Sequence, residues 1–232
     1  MSRESKPPED HTDALRAMLR KLHPSMDVDA AVDALMRGHT SARALPEMSV
    51  SQLSRQLPER TAELVHLIPG MARSMLRNNY PEHPAIGTMS EAAHFLRGHY
   101  LGRSYEHCYL LLLKRNRRLI REVMVQSGTV NSLPFYSRNI VEAVLAHQAD
   151  ALVISHNHPG GTAAPSQADV ESTQHLIAAL EPLSTPLIDH LIIAGDQVLS
   201  LREMEAIPEE TWLAQPNRCP ALLKNWLREP AR

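Results

Sequence analysis

The stretch ISHNHPGGTAAPSQADV, residues 154–170, decides how this chain is read. It grows out of a short apolar strand, ALVIS at 151–155. His156 and His158 stand two apart at the C-terminal end of that strand, and side chains at i and i+2 of a strand point to one face. Pro159, Gly160 and Gly161 then break the strand and turn the chain. Ser166 to Asp169 opens the next helix, predicted over 165–180, so a carboxylate in its first turn is able to swing back toward the strand end. Two imidazoles and one carboxylate leave a fourth tetrahedral position for water, the pattern of a catalytic rather than a closed structural zinc site. A zinc ion lowers the pKa of such a water to about 7. The same residues also have a reading without metal. Ser166-Gln-Ala-Asp169 fits a capping box with Asp in the Glu position, and His-x-His before Pro-Gly-Gly fits a plain turn. The readings are compatible, and the joint pattern of His-x-His, seven residues, Ser, two residues and Asp favours the metal.

Working outward, YEHCYLLLL (105–113) is an apolar run, KRNRR a charged turn, and LIREVMV (119–125) an alternating strand; together they predict a hairpin. Residues 137–148 predict a helix with Ile140, Val141, Val144 and Leu145 on its buried face. LIDHLIIAG (187–195) and QVLSL (197–201) predict a second hairpin. The order β-β-α-β-α-β-β gives an α/β domain with a mixed sheet.

The N-terminal part reads differently. DALRAMLRKL places Leu15, Met18, Leu19 and Leu22 on one helical face, and Val28, Ala31, Val32 and Leu35 repeat the pattern up to Gly38, a candidate cap. MSVSQLSRQL and TAELVHLIPGMARSML follow as shorter helical pieces. NNYPEHPAIGTM (78–89) reads as a linker, and 90–99 as one more helix with Ser90 as N-cap. The organisation predicted is a disordered leader at 1–12, a helical region at 13–78, a linker and helix at 79–99, the α/β domain at 100–202 and an extension at 203–232. The extension carries Trp212 and Trp226, with a short helix near 221–227, and is too apolar for a free tail. It either folds back or binds a partner.

The chain has 232 residues and a formal charge of −2, from 24 basic and 26 acidic side chains with 13 neutral His. Hydrophobic residues at 43% and charged residues at 22% exclude a mostly disordered chain. With 4% aromatics the core has to be built from Leu, Ile, Val, Met and Ala. No apolar run approaches the roughly 20 residues that span a bilayer, and MSRESKPPEDH lacks a signal-peptide apolar region. Cys108 and Cys219 cannot form a disulfide framework, so the expected location is the reducing cytoplasm. Near-neutral charge counts against a strongly cationic nucleic-acid binder.

His156-x-His158-x7-Ser166-x2-Asp169 resembles the JAMM signature of JAB/MPN metallohydrolases. The surroundings resemble the RadC family within that group: SGTVNS (127–132), SRNIVEAVLAHQADALVISHNHPGG, PSQADVESTQHL and LIDHLIIAGDQVLSL. The likeness is strong over 100–201 and weak over 13–77. It implies a cytidine-deaminase-like MPN (JAB) fold with a mixed sheet, preceded by a small helical, degenerate helix-hairpin-helix-like region. It implies zinc bound by His156, His158 and Asp169, with Ser166 hydrogen-bonding the reacting carbonyl or its oxyanion. It also implies a Glu as general base, from an earlier strand. Glu106 and Glu122 are the candidates; Glu106 is favoured because it begins the apolar run as the family's Glu begins its strand. Asp189-His190 matches the RadC pattern too, for structural hydrogen bonds or for support behind the ligands or substrate. Ser155 points away from His156. Cys108 reads as a small core residue, and His107, His147 and His175 as surface or core-edge groups.

The implied activity is a zinc-dependent hydrolase in which a Glu activates water against an amide, peptide or isopeptide-like bond, with a peptide or protein as substrate. The alternatives are a RadC-like DNA-repair or DNA-processing factor, including a nuclease, and a non-catalytic MPN scaffold. DNA binding loses support at RQLPERTAEL (55–64), where the family's hairpin glycines are missing and Pro58 removes an amide donor. Arg55, Arg60, Arg73 and Arg77 form either a basic face or a solvated helix surface.

Overall fold

The computed structural model describes residues 11–37, 45, 47–127, 133–159 and 161–207. They divide into two compact units, Met1–Ser74 with Leu101–Ser104, and Met75–Tyr100 with Tyr105–Arg232. The leader up to residue 10, Gly38, and the extension from 208 onward with Trp212, Cys219 and Trp226 lie outside the described residues. No helix among the described residues is long and apolar enough to cross a membrane.

The first unit holds α1 (His11–Leu22), α2 (Val28–Met36), α3 (Val50–Leu53) and most of α4 (Glu59–Arg77). Leu15 and Leu19 of α1 pack with Val28, Ala31, Val32 and Leu35 of α2 and with Leu53, Ala62 and Val65. Leu22 departs from its predicted face and is exposed, because it is the last residue of α1 and the apolar stripe runs out into the turn. Asp27 caps α2 by accepting from the Ala30 N–H at 3.0 Å. The two shorter pieces remain separate as α3 and α4; TAELVHLIPGMARSML lies within the 19-residue α4, which passes through Pro69. Proline removes one donor, but the Leu, Ala, Met and Arg around it are good helix formers, and the ladder resumes beyond it. The Arg73 guanidinium donates to the Leu101 carbonyl at 2.9 Å.

The second unit holds α5 (Met89–Tyr100), β1 (His107–Leu113), β2 (Leu119–Ser127), α6 (Leu133–His147), β3 (Ala151–Asn157), α7 (Gln167–Leu180), β4 (Leu187–Ala194) and β5 (Gln197–Ser200). The five strands form one sheet in the order β2-β1-β3-β4-β5. β3 and β4 run parallel across the α7 crossover, and the other neighbours are antiparallel. This is the expected mixed α/β sheet, with a helical N-terminal region before it.

Both sheet faces are covered, which is why β1, β3 and β4 read as continuous apolar runs. Tyr109, Leu111 and Leu113 face Ala92, Phe95 and Leu96 of α5. Cys108, Leu110 and Leu112 face Ile140 and Val144 of α6 and Leu176 and Leu180 of α7. Burying such side chains contributes roughly 1.5–3 kcal/mol each.

Three sequence expectations change here. Leu145 is exposed and Val141 only half-buried, because they sit about 100° around the helix from Ile140 and Val144, which face the sheet. The cap of α5 is Thr88, not Ser90: Thr88 Oγ1 accepts from the Glu91 N–H at 3.1 Å, and the Glu91 carboxylate accepts from the N–H groups of Thr88 at 3.1 Å and Gly87 at 2.6 Å. A box needs its carboxylate three residues after the cap, and only Thr88 meets that spacing with Glu91. The stretch read as a linker is packed. Ile86 and Met89 are buried, the Ile86 N–H donates to the Arg117 carbonyl at 2.8 Å, and Leu119 N–H donates to the Pro84 carbonyl at 2.9 Å. It belongs, with α5, to the sheet unit.

Candidate metal centre

The parallel pairing of β3 with β4 and the helix between them bring four side chains together. His156 is the last residue of β3 facing α7, opposite Cys108 of β1, and His158 follows one residue beyond the strand. Their Nε2 atoms lie 2.9 Å apart. The Asp169 carboxylate lies 3.3 Å from His156 Nε2 and 3.7 Å from His158 Nε2. Asp169 is held by the capping box that starts α7. Ser166 Oγ accepts from the Asp169 N–H at 3.2 Å, while Asp169 Oδ2 accepts from Ser166 N–H and Ser166 Oγ, each at 2.7 Å. The capping box and the convergent His-His-Asp set therefore coexist in the same residues.

His158 Nδ1 lies 3.0 Å from the Thr162 carbonyl. A carbonyl only accepts, so Nδ1 carries a hydrogen, and the form of the ring that binds a metal turns its lone pair inward at Nε2. His156 Nδ1 lies 2.8 Å from His190 Nε2, so its Nε2 is the atom facing the others. Two ring nitrogens and a carboxylate, all electron-rich, thus face one another within 4.8 Å. Such an arrangement repels unless positive charge lies between. Tetrahedral ligands about 2.0–2.1 Å from a zinc ion stand about 3.3 Å from one another, which matches the separations of 2.9, 3.3 and 3.7 Å. The donor set fits zinc.

Burial lowers the pKa of His156 to about 4; Asp169 opposes this and the His158 charge adds to it. Burial also lowers His190 well below the ordinary range, with His156 and His158 adding to the effect. Both rings are neutral at pH 7, the form a metal site requires.

Glu106 stands one residue before β1, in phase with Cys108, on the side of the sheet that carries His156. Burial raises its pKa; His158 pulls it down and the Asp169 charge pushes it up, so it lies within electrostatic reach of both. Glu122 lies elsewhere. It pairs across the sheet with Leu111, whose side chain faces α5, and it forms an ion pair with Arg77. Asp189 and His190 separate as well. Asp189 is fully buried and accepts from Ser200 Oγ at 2.7 Å and from the N–H groups of His190 at 2.7 Å and Arg202 at 3.2 Å. The His190 ring instead faces His156. Ser155 lies on the opposite face, as expected, where its Oγ accepts from Tyr100 at 3.0 Å.

Cys108 is buried beside the site, and burial followed by the Asp169 charge pushes its thiol up, which keeps it protonated and unsuited to ligation. His107, expected nearer the surface, is buried with Nδ1 2.9 Å from the Tyr105 carbonyl. Sequence reasoning missed Thr162 and Thr173. Thr173 Oγ1 lies 2.6 Å from His190 Nδ1. Its position four residues after Asp169, on the same helical face, was the available signal.

The sheet, the crossover and the His-His-Asp cluster define a JAB/MPN-type α/β domain. Residues 86–206, more than half of the chain, match the family described as RadC-like JAB domain. The chain is 32% identical over 191 residues to a UPF0758 protein of Vibrio cholerae serotype O1 (strain M66-2), covering 82% of this chain and 85% of the relative. It is 43% identical over 99 residues to a UPF0758 protein of Bordetella petrii, covering 43% of this chain and 44% of the relative. The chain belongs to the RadC family.

Proposed function

We propose that this protein is a zinc-dependent hydrolase of the JAMM type that cleaves an amide, peptide or isopeptide-like bond in a peptide or protein substrate. The observation that carries this reading is the convergence of His156 Nε2, His158 Nε2 and the Asp169 carboxylate, with the outer nitrogen of each ring already engaged. A zinc ion held by these three would supply a Lewis acid and bring the pKa of a water molecule to about 7.

The chain's own residues supply the rest. Glu106, with its pKa raised by partial burial, takes a proton from the attacking water and gives it to the leaving nitrogen. Ser166 Oγ donates to Asp169 Oδ2 in the resting arrangement. Rotation of the hydroxyl hydrogen alone redirects that donor to a developing oxyanion, while Oγ keeps the Asp169 N–H and the helix stays capped. With two Cys in the whole chain, the reducing cytoplasm is the proposed place of work.

The test is a panel of peptide and isopeptide substrates offered to the zinc-loaded protein and to its Glu106→Gln variant. Turnover that a chelator abolishes, and that Glu106→Gln abolishes with zinc retained, is the expected result. Glu106→Gln losing zinc together with activity would show that Glu106 is not the base. Substrates left intact by the zinc-loaded protein across the panel would count against a peptidase.

A further inference from the structure

We infer that Thr173 and His190 are positioning residues, a hydrogen-bond relay that fixes His156 as its Nδ1–H tautomer and so keeps its Nε2 lone pair on the metal position. The inference rests on the metal-centre reading above and adds two residues to it.

The direction of the relay follows from one group that cannot donate. Thr173 Oγ1 lies 2.6 Å from the Asp169 main-chain carbonyl and 2.6 Å from His190 Nδ1. A carbonyl only accepts, and a threonine hydroxyl has one hydrogen. That hydrogen goes to Asp169, because otherwise two oxygens would meet at this distance with no hydrogen between them. Thr173 Oγ1 is then an acceptor toward His190, and His190 Nδ1 carries the hydrogen. The remaining lone pair of neutral His190 is on Nε2, 2.8 Å from His156 Nδ1. His156 has to donate there, and its own lone pair is left on Nε2, facing His158 and Asp169. No link is reversible without leaving a repulsive contact.

The relay does for His156 what the Thr162 carbonyl does for His158. The two cases differ because His156 sits inside the sheet, where backbone carbonyls are engaged in the ladders, so a side chain has to serve as acceptor. The relay also ends on the backbone of Asp169. It therefore ties one ligand to the helical turn that carries another. Groups behind a metal-bound imidazole fix ring orientation and tautomer, and removing one costs about 10- to 100-fold in metal affinity.

The experiment compares zinc affinity of the full-length wild type, Thr173→Val and Thr173→Ser by competition with a chelating dye. Imidazole tautomers are read in parallel from long-range proton–nitrogen correlation spectra. Valine keeps the shape and loses the hydroxyl; serine restores it. Wild type is expected to bind zinc with His156 and His190 both protonated at Nδ1. Thr173→Val is expected to bind about 10- to 100-fold more weakly, and Thr173→Ser to recover wild-type affinity. Thermal unfolding of the zinc-free variants separates loss of the fold from loss of the relay. Wild type that binds zinc while Thr173→Val binds it equally well, or His190 protonated at Nε2, would overturn the relay and leave the metal reading standing. Wild type that binds no zinc would overturn the metal reading and the relay with it.

Discussion

Two helices of the sheet unit, α5 and α7, begin with the same local device. Thr88 and Glu91 form a capping box at the first, Ser166 and Asp169 at the second. Each satisfies N–H groups that a helix start leaves unpaired. What lies opposite differs. Glu91 is exposed and completes its bonds within residues 87–91. Asp169 is buried and faces His156 and His158 across the end of β3. A motif that only closes a helix at one end of the sheet stands against two imidazoles at the other, because the strand end beside it carries His156 and His158. The capping box does not reveal a site by itself; the register that places it against His-x-His does.

The largest expected effect that separates the two regions is on rate. Glu106→Gln should lower turnover about 10²- to 10⁴-fold with zinc retained. Glu91→Gln should leave turnover unchanged, since Gln also completes a capping box. A comparable loss from Glu91→Gln would break the distinction.

The next effect is on acid stability. The His156 pKa is about 4 in the folded chain against about 6.5 unfolded, so the unfolded state binds the additional proton between those values. Stability of the zinc-free protein is therefore full above pH 6.5 and falls as pH drops toward 4, by up to about 1.4 kcal/mol per pH unit for each such imidazole. Urea unfolding with chelator present from pH 7 to 5 checks this; a flat profile would contradict the buried neutral imidazole.

Ser166→Ala and Thr88→Ala should each lose about 0.5–2 kcal/mol of stability as cap removals. Only Ser166→Ala should also weaken zinc binding, because only its box holds a carboxylate that faces His156 and His158. Equal zinc affinity in both variants would place the Ser166 box on the same footing as that of Thr88. The smallest change is expected for Glu122→Gln. It breaks the ion pair with Arg77 at a cost of about 1 kcal/mol or less and should leave turnover intact. A marked drop in turnover would return Glu122 to the role of base.

The fold was legible where periodicity is local. The two hairpins, the α7 crossover and the apolar strands follow from residues close in sequence, and so do His156, His158 and the Ser166 box. The departures at Leu22 and Leu145 share one cause. The stripes containing Leu22 and Leu145 are real, but periodicity does not say where the covering surface ends. The relay was out of reach for a related reason. Thr173 and His190 are 17 residues apart, and His156 and His190 are 34 apart; only the parallel pairing of β3 with β4 joins them. Asp189 and His190 read from sequence as structural hydrogen-bonding groups or as support behind the ligands, with nothing to say which does which. Successive strand residues point to opposite faces, however, and the His190 ring turns to His156 and Thr173 instead. Glu106 is preferred over Glu122 from sequence position alone, but the face Glu122 occupies comes from the cross-strand register, and the nearness of Glu106 to His158 and Asp169 comes from the fold.

The central claim is that His156, His158 and Asp169 hold a metal ion. It is tested most directly by the zinc content of the purified protein, measured beside His158→Ala after identical reconstitution. About one zinc per wild-type chain, lost in the variant, is the predicted result. No zinc in the wild type, or the same content in both proteins, would contradict it.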